Sequence, residues 1–438
     1  MLIHRFTLLG LILLSMTIEA KQTAPKNIIF LIGDGMGPAY TTAYRYYADN
    51  PDTAKVETTI FDTLLVGSAS TYPDDDTVVT DSAAAATALA TGHKTYNGAV
   101  GINRQKQKLT SILKMAKSRG YNTGIVVTSE LSHATPAGFV AHSASRKNKY
   151  DIAKQFYTQQ QNGKPIVDLM LGGGTKYFNK ELTLGKRTKT VTKWLKNSGY
   201  QYISSLDELN KLQTLPAIGL FAEEGLLPAI NSTQPNRLSM MTEAALRVLD
   251  NADQPFFLMI EASQIDWCGH ANDISCAMAE MEDFAKTLTK VKHYVDNSKN
   301  SLMVATADHS TGGLSLGYNK VYQWNAGVVK QIHATSKSIA EKLEGSKSIA
   351  TDWHKFIDFS LDESEERSLA AVINDKDEIK DVVRQIIINR TKTGWTTKGH
   401  DAVDVQVFAA GTGAKAFRGF QDNTDISRKL NYYIINGE

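Results

Sequence analysis

Seven runs of apolar, often β-branched residues alternate along this chain with segments of helical periodicity. The runs that predict strands are 27–33, 122–129, 165–173, 218–223, 255–263, 301–308 and 403–411. The intervening segments that predict helices are 108–120, 237–251 and 275–295. Continuous apolar runs are typical of strands buried on both faces, and alternation with helices favours parallel pairing. The pattern predicts an α/β fold with a mainly parallel sheet covered by helices on both sides.

The chain has 438 residues, which suits one large domain with an insertion or two domains. Residues 318–396 break the alternation, since they are richer in Lys, Glu, Asp and Ser, with helical patterns at 336–344 and 377–390. We predict an insertion there, packed on the edge of a main domain made of 21–317 and 397–438. The net charge of +2 gives no reason to expect nucleic acid as a specific partner.

The N-terminal segment 1–20 has the composition of a secretory signal peptide. Arg5 gives a basic start, 6–16 is a short apolar stretch, and Ala20 is a small residue at a plausible cleavage point. We expect an exported protein, periplasmic or secreted in a Gram-negative host, with no membrane association after cleavage. An uncleaved anchor is the alternative.

The two cysteines, Cys268 and Cys276, lie eight positions apart. We predict Cys276 on a helix that starts near Ile274, and Cys268 in the turn before it. An oxidising compartment would permit a disulfide between them, but the sequence leaves the bond open.

Chemically versatile side chains follow several predicted strands. The positions are Asp34 after the first strand, Thr135 beyond the second, Glu261, Asp266 and His270 around 255–263, and Asp308 and His309 after 301–308. Ligands of an open parallel sheet bind outside the carboxyl ends of its strands, so these residues are expected to meet. His400 is the exception because it precedes its strand. Taken singly, each has an ordinary reading as a turn, a salt bridge, a structural pair or a surface residue.

Ser82 stands, with Asp81, at the start of an alanine-rich helix predicted over 83–90 and closed by Gly92. The plain reading is a helix N-cap. The functional reading is a serine nucleophile whose charge is stabilised by the helix end. Neither a Ser-His-Asp order nor a GxSxG motif accompanies it, so a metal would have to activate the hydroxyl. Arg146 is either a surface residue or a bidentate phosphate ligand.

Six motifs in order make the sequence resemble the alkaline phosphatase family over nearly all of the chain after the signal segment. They are IGDGMG, TDSAAAATALATG, HATPAGFVAHSASR, IEASQIDWCGH, TADHSTGG and GHDAVDV. The resemblance implies a three-layer α/β/α sandwich with a crown-like insertion, two zinc ions and one magnesium ion. It also implies hydrolysis of small phosphate monoesters by a homodimer.

The resemblance implies a role for each matching residue. Ser82 would be the nucleophile that becomes phosphoserine, and Arg146 would hold the phosphate. The implied metal ligands are Asp266, His270 and His400 for the first zinc, Asp34, Asp308 and His309 for the second, and Asp34, Thr135 and Glu261 for magnesium. Zinc accepts nitrogen and oxygen ligands, whereas magnesium takes oxygen.

Two positions at the substrate site depart from some members of the family. His133 stands where some carry Asp, and Trp267 stands where some carry Lys. This pair resembles certain marine bacterial members and bears on the binding of magnesium and phosphate.

Two other classes of function compete with this interpretation. A phosphodiesterase or sulfatase of the same superfamily is one, although DSAAAA does not match the CxPxR-type motif of sulfatases. Diesterases usually lack the magnesium ligands and the clamping arginine that Glu261, Thr135 and Arg146 would supply here. The other is an exported metal- or phosphate-binding protein without catalysis, which leaves Ser82 unexplained.

Overall fold

A computed structural model describes residues 24–298 and 300–436 of the chain. The strands in these ranges are β1 (Asn27–Gly33), β2 (Leu65–Ser70), β3 (Asn122–Glu130), β4 (Gln160–Gln161), β5 (Lys164–Pro165), β6 (Leu169–Gly173), β7 (Glu181–Leu184), β8 (Arg187–Thr190), β9 (Gln201–Ile203), β10 (Ala217–Leu220), β11 (Phe256–Ala262), β12 (Ser301–Ala307), β13 (Ser310–Thr311), β14 (Ser315–Leu316), β15 (Thr393–Gly394), β16 (His400–Asp401), β17 (Val405–Gly411) and β18 (Gly419–Asp422).

The helices of the same ranges are α1 (Pro38–Ala48), α2 (Ile60–Leu64), α3 (Ser82–Thr91), α4 (Ile112–Ser118), α5 (Ala134–Val140), α6 (Lys149–Thr158), α7 (Thr175–Phe178), α8 (Val191–Asn197), α9 (Arg237–Asp250), α10 (Gln264–His270), α11 (Ile274–Asn297), α12 (Ala326–Val329), α13 (Ser336–Leu343), α14 (Ile349–Trp353), α15 (Glu363–Ala371), α16 (Lys376–Thr391) and α17 (Asn423–Asn436). Short 3₁₀ helices lie at Leu206–Lys211, Ala229–Asn231 and Ala414–Phe417.

Ten of the strands form one sheet, and its centre is the part that the apolar runs predict. The spatial order is β18-β2-β17-β12-β1-β11-β3-β6-β10-β9. All pairs from β12 to β9 are parallel, whereas β17 runs antiparallel to both of its neighbours. Every residue of β1, β11 and β12 is buried, as expected for strands covered by helices on both faces. The predicted mainly parallel α/β sheet is confirmed.

Three strands of the sheet, β2, β9 and β18, and the helix α17 are absent from the sequence predictions. β2 has the sequence LVGSAS and β18 the sequence GFQD, whose small and polar residues give no clear strand pattern. Both strands lie at one side of the sheet. α17 buries Ile426, Leu430, Tyr433 and Ile434. That helical spacing was sufficient to predict this last helix.

The predicted insertion, 318–396, consists mainly of the helices α12 to α16. Its buried residues Ile339, Leu343 and Val383 belong to the same apolar cluster as the sheet. The chain enters and leaves this region side by side, because β14 pairs antiparallel with β15. This arrangement fits an insertion, whose bounds stay a prediction.

The predicted signal peptide, 1–20, lies outside the described residues. Among the residues that the structure does describe, no helix is both long enough and apolar enough to cross a membrane.

A buried ionic cluster joins α9 to α11 close to the carboxyl end of β11. The Arg237 guanidinium is 1% exposed and donates to both carboxylate oxygens of Glu280, at 2.6 and 2.8 Å, and to Asp283 at 3.1 Å. The Asp283 carboxylate also accepts hydrogen bonds from the backbone N–H groups of Leu238 and Ser239. The two carboxylates are therefore held in the core by one cation.

Replacing this cation should destabilise the fold strongly. We expect Arg237→Leu to lower the free energy of unfolding by about 3–5 kcal/mol, because two carboxylates would stay buried without their partner. Urea denaturation followed by circular dichroism measures the change. Arg367→Gln, which removes an exposed partner of Glu363, is the matched control and should cost under about 1 kcal/mol.

The loss should also depend on pH. Burial raises the pKa of Asp283 to about 6, and the charge of Arg237 opposes that rise. Without Arg237, the pKa of Asp283 in the folded state rises further above its value in the unfolded state. The free energy of unfolding therefore decreases as pH increases from the unfolded to the folded pKa. The variant should therefore be more destabilised at pH 8 than at pH 5, and an equal loss at both pH values would contradict this account.

Candidate active site

Four neighbouring parallel strands, β12, β1, β11 and β3, bring the predicted site residues to one edge of the sheet. Asp34 directly follows β1, and Asp308 directly follows β12. Glu261 lies within β11, and the short helix α10 beyond it carries Asp266 and His270. The parallel direction of the strands is what makes these positions converge.

The turn after β1 packs closely against Asp266 and Asp308. Gly35 has a φ of +70°, and a Cβ added to it would come within 2.7 Å of the Asp266 Cα. Its backbone N–H donates to Asp308 Oδ1 at 3.0 Å. Glycine therefore lets this turn pass directly between the other two strand ends.

Asp34, Asp308 and His309 form the first cluster. Their ligand atoms all lie within 4.8 Å of one another, and all three residues are completely buried. His309 Nε2 is 3.2 Å from Asp308 Oδ2 and 3.5 Å from Asp34 Oδ1.

Asp266, His270 and His400 meet beside the first cluster. His270 Nε2 is 3.4 Å from Asp266 Oδ2 and 3.2 Å from His400 Nε2. His400 reaches this place because β16 pairs with β13, with His400 opposite Thr311. His309 also faces this group, since its ligand atom lies within 4.8 Å of those of Asp266 and His400. One imidazole thus stands between the two clusters.

The three imidazoles share one arrangement, in which Nδ1 is engaged and Nε2 points inward. His270 Nδ1 lies 2.5 Å from the Lys398 carbonyl oxygen, and His400 Nδ1 lies 2.8 Å from that of Thr80. For His309 the partner is the Thr311 hydroxyl at 3.2 Å, which itself donates to Asp266 at 2.6 Å. A donor at Nδ1 leaves the Nε2 lone pair free for a cation.

The third cluster contains Asp34 again, now with Glu261 and His133. Their ligand atoms lie within 4.8 Å of one another, and the residues are buried. Thr135 lies two residues beyond His133 on α5, and its hydroxyl is also buried. The predicted oxygen ligands are thus at hand, but a histidine nitrogen that the predicted metal set omitted stands among them.

The donor atoms of these clusters fit cations. The atoms Asp34 Oδ1 and Oδ2, Asp308 Oδ2, Glu261 Oε1 and Thr135 Oγ1 are buried and have no hydrogen-bond partner of ordinary geometry among the described residues. Buried polar atoms are rarely left in this state unless a ligand or ion satisfies them. Nitrogen and oxygen donors together suit zinc, and the oxygen atoms of the third cluster suit magnesium.

The electrostatics lead to the same conclusion. Burial raises the pKa of Asp308 to about 8 and that of Glu261 to about 7. Burial also raises the pKa of Asp34, and the neighbouring Asp308 carboxylate raises it further. Burial lowers the pKa of His309, which favours the neutral imidazole. Bound cations would hold these carboxylates ionised at neutral pH.

Ser82 is the first residue of α3 and lies against these clusters. Its hydroxyl is buried, with Oγ 3.1 Å from His309 Nε2. Asp81 caps the helix by accepting from the Ala84 N–H at 2.9 Å. The serine that the sequence singled out is therefore placed beside the imidazole shared by two clusters.

Arg146 reaches the same place from the loop after α5. Its Nη1 donates to Asp81 Oδ2 at 3.0 Å, and its Nη2 lies 3.4 Å from His133 Nε2. Burial lowers the pKa of His133 to about 4, so this ring is neutral and can accept from the guanidinium. Trp267 packs edge-on against His133, with ring centroids 5.9 Å apart.

Several supporting residues were missed by the sequence analysis. The sequence indicates that Asp81 is a helix cap but not that it binds Arg146, and it assigns no contact to Thr311 or Lys398. A role for Thr311 could have been predicted from the sequence, because it follows Asp308 and His309 in TADHSTGG. The contact of Lys398 is made by its backbone carbonyl, for which side-chain chemistry gives no signal.

The prediction for Cys276 is confirmed, because it lies on a helix that starts at Ile274, whereas the prediction for Cys268 is wrong. Cys268 lies within α10 and not in a turn, and it forms a disulfide with Cys276 in the first turn of α11. The two Cα atoms are 5.4 Å apart because the two helices follow each other closely. The bond that the sequence left open joins the helix carrying Asp266 and His270 to the next helix.

Comparison with known proteins agrees with this geometry. The family model described as alkaline phosphatase matches residues 25–435. Alkaline phosphatase 3 of Bacillus subtilis is 41% identical over 94% of this chain and 89% of its own length. Alkaline phosphatase of Escherichia coli is 33% identical over 65% of this chain and 70% of its own.

Solved structures show the same relationship. The cold-active alkaline phosphatase of a psychrophilic Shewanella is 43% identical and superposes with a TM-score of 0.87, covering 93% of this chain and 99% of that one. The alkaline phosphatase of the Antarctic bacterium TAB5 is 27% identical, with a TM-score of 0.70 over 94% of this chain and 99% of its own. A variant of the TAB5 enzyme has magnesium bound in a site termed M3. On the family model and these relatives, the chain belongs to the alkaline phosphatase family and is a hydrolase.

Proposed function

We propose that this chain hydrolyses phosphate monoesters to an alcohol and inorganic phosphate through a phosphoserine on Ser82. The observation that carries the proposal is the position of the Ser82 hydroxyl, 3.1 Å from the nitrogen of His309. A nucleophile at that point lies beside buried, unsatisfied carboxylates that suit cations. Membership of the family supports the choice of a phosphate ester as substrate.

Two zinc ions and one magnesium ion are the proposed cofactors. Asp266, His270 and His400 would hold one zinc, and Asp34, Asp308 and His309 the other. The oxygen atoms of Asp34, Thr135 and Glu261 would hold magnesium, with His133 nearby as a competing nitrogen donor. When bound, such ions lower the pKa of a neighbouring hydroxyl or water and stabilise oxygen charge in an in-line displacement.

In the first step, the Ser82 hydroxyl would lose its proton as Oγ attacks phosphorus, the ester P–O bond would break, and the leaving oxygen would take up a proton to depart as the alcohol. Oγ stands at the N-terminus of α3, where free backbone N–H groups favour the negative charge of a phosphoryl group. Arg146, held in place by Asp81, would contact two phosphate oxygens. Trp267 and His133 would form the wall beside the bound group.

In the second step, a water would attack the phosphoserine and break the bond between phosphorus and Oγ. The water would approach from the position the alcohol vacated, at the side of Asp266, His270 and His400. The products would be inorganic phosphate and the restored Ser82 hydroxyl. The side of the site formed by Asp266, His270 and His400 would thus face the leaving alcohol in the first step and the attacking water in the second.

We also propose an exported homodimer with a crown-like insertion over 318–396. The composition of 1–20 supports export, and the Cys268–Cys276 disulfide suits an oxidising compartment. The resemblance to the family supports the homodimer. N-terminal sequencing of the mature protein and light scattering test these points; an intact residue 1 or a monomeric mass would contradict them.

Removing the nucleophile should abolish turnover and leave the metal sites intact. We expect Ser82→Ala to lower kcat for 4-nitrophenyl phosphate at least roughly a thousandfold, because the covalent step is lost. Metal content should stay that of the parent enzyme when measured by atomic emission spectrometry. Turnover close to that of the parent would exclude the covalent route.

Removing the phosphate clamp should affect binding more than chemistry. Arg146→Ala deletes a forked, charge-assisted contact, so kcat/KM should fall about 10- to 100-fold and inhibition by inorganic phosphate should weaken. Steady-state kinetics with phosphate as inhibitor measures both effects. Arg146→Lys retains the positive charge but cannot donate two parallel hydrogen bonds, so its kcat/KM should lie between those of the parent enzyme and Arg146→Ala. An unchanged phosphate inhibition constant would contradict the assigned role.

A further inference from the structure

A cavity of about 540 Å³ opens beside the proposed zinc ligands and is not used by the phosphate contacts described above. Trp267 and His270 form the part of its wall nearest the site. Residues of α13 and α16, which belong to the 318–396 region, line the opposite side. The cavity thus lies where a substrate group beyond the ester oxygen would extend.

One wall of this cavity is apolar and firmly placed. Leu227, which is 65% exposed, lines it together with Pro228 and Trp267. Gly225 lies directly against the indole, since a Cβ there would approach Trp267 Cη2 to 2.3 Å. The indole also makes an edge-on contact with His133. A flat, rigid aromatic wall suits an aromatic or otherwise planar ligand.

The other wall is basic. Its cationic lining residues are Lys337, Lys380 and Arg384, and a fourth, Lys398, lines the cavity beside His270. Lys380 lies 2.6 Å from Asp377, and Arg384 lies 3.0 Å from Asp381. Within residues 24–298 and 300–436, Lys337 and Lys398 have no carboxylate within 4.0 Å. Two of the lysines that line the cavity therefore have no carboxylate partner within these ranges.

The carboxylates of the lining do not cancel this charge. Asp273 is 2% exposed, and its oxygens accept from the Cys276 N–H at 3.1 Å and the Ser336 N–H at 2.6 Å. Glu341 is the other lining carboxylate, and it is exposed like Lys337, so it offsets part of the charge but leaves more cations than carboxylates in the lining. The lining therefore favours a negatively charged ligand.

Lys398 connects the basic part of the cavity lining to the candidate site. The Lys398 backbone carbonyl accepts a hydrogen bond from His270 Nδ1, and Lys398 also lines the cavity. A group bound between Lys398 and Trp267 would consequently lie next to His270. That is the side from which the alcohol departs in the proposed reaction.

We propose that this cavity is a binding site for the alcohol portion of the substrate, selecting phosphate monoesters whose alcohol is planar and carries a second anionic group. The planar part would contact Trp267 and Leu227, and the anion would contact Lys337 and Lys398. The inference rests on the proposed monoesterase function, because that function places the alcohol here.

The test compares 2-naphthyl phosphate with its 6-sulfonate, whose second anion cannot be hydrolysed. The enzyme should show a higher kcat/KM for the sulfonated ester at low ionic strength, and added salt should reduce that preference. In the variant Lys337→Gln with Lys398→Gln, the ratio of the two kcat/KM values should fall about fivefold, the size expected of two exposed charge contacts.

Lys342→Gln is the matched control. Lys342 is an exposed lysine on the same helix as Lys337, but it does not line the cavity. The control removes one charge and should retain the ratio of the parent enzyme. If Lys342→Gln lowered this ratio as much as the double lysine variant does, the effect would come from the overall charge of the protein, and the assignment of a site would be overturned.

A binding measurement separates failure of this inference from failure of the proposed function. Fluorescence titration with 6-hydroxynaphthalene-2-sulfonate, the alcohol alone, needs no turnover. We expect saturable binding that weakens about fivefold in the double lysine variant. Absence of turnover with either ester would contradict the proposed function. No binding of the alcohol, or equal binding by the parent and the double variant, would overturn the cavity assignment.

Discussion

Four carboxylates, those of Asp34, Glu261, Asp266 and Asp308, are buried together at one edge of the sheet. Like charges in a dry site repel each other and lose hydration, and several of these oxygen atoms have no protein partner of ordinary hydrogen-bond geometry within the described ranges. The rest of the fold must hold them there, and the fully buried parallel strands provide that rigidity. Cations that bind this edge would stabilise the folded chain and prepare it for reaction.

The second constraint is the close packing of α3 on α5. A Cβ added to Gly138 would meet the backbone of Ala86 at 3.1 Å, so small residues on both helices set their separation. α3 carries Ser82, whereas α5 begins immediately after His133. Ser82 and the third cluster are thus positioned by two helices in close contact, which fixes their relative geometry.

The sequence predicted those parts of the site that depend on strand direction. Asp34, Glu261 and Asp308 follow from the rule that parallel strands share a carboxyl edge. His400 could not be placed in this way, because it depends on the pairing of β16 with β13, ninety residues earlier in the chain. The strands β2 and β18, at one end of the sheet, could not be predicted because short, partly exposed strands carry little hydrophobic pattern.

The central claim is that cations occupy the two clusters that meet at His309. X-ray diffraction at the zinc absorption edge, on crystals of the purified enzyme, tests it most directly. The account predicts two strong anomalous peaks, one among Asp34, Asp308 and His309 and the other among Asp266, His270 and His400. Crystals of fully active enzyme with no metal peak at either place would contradict it.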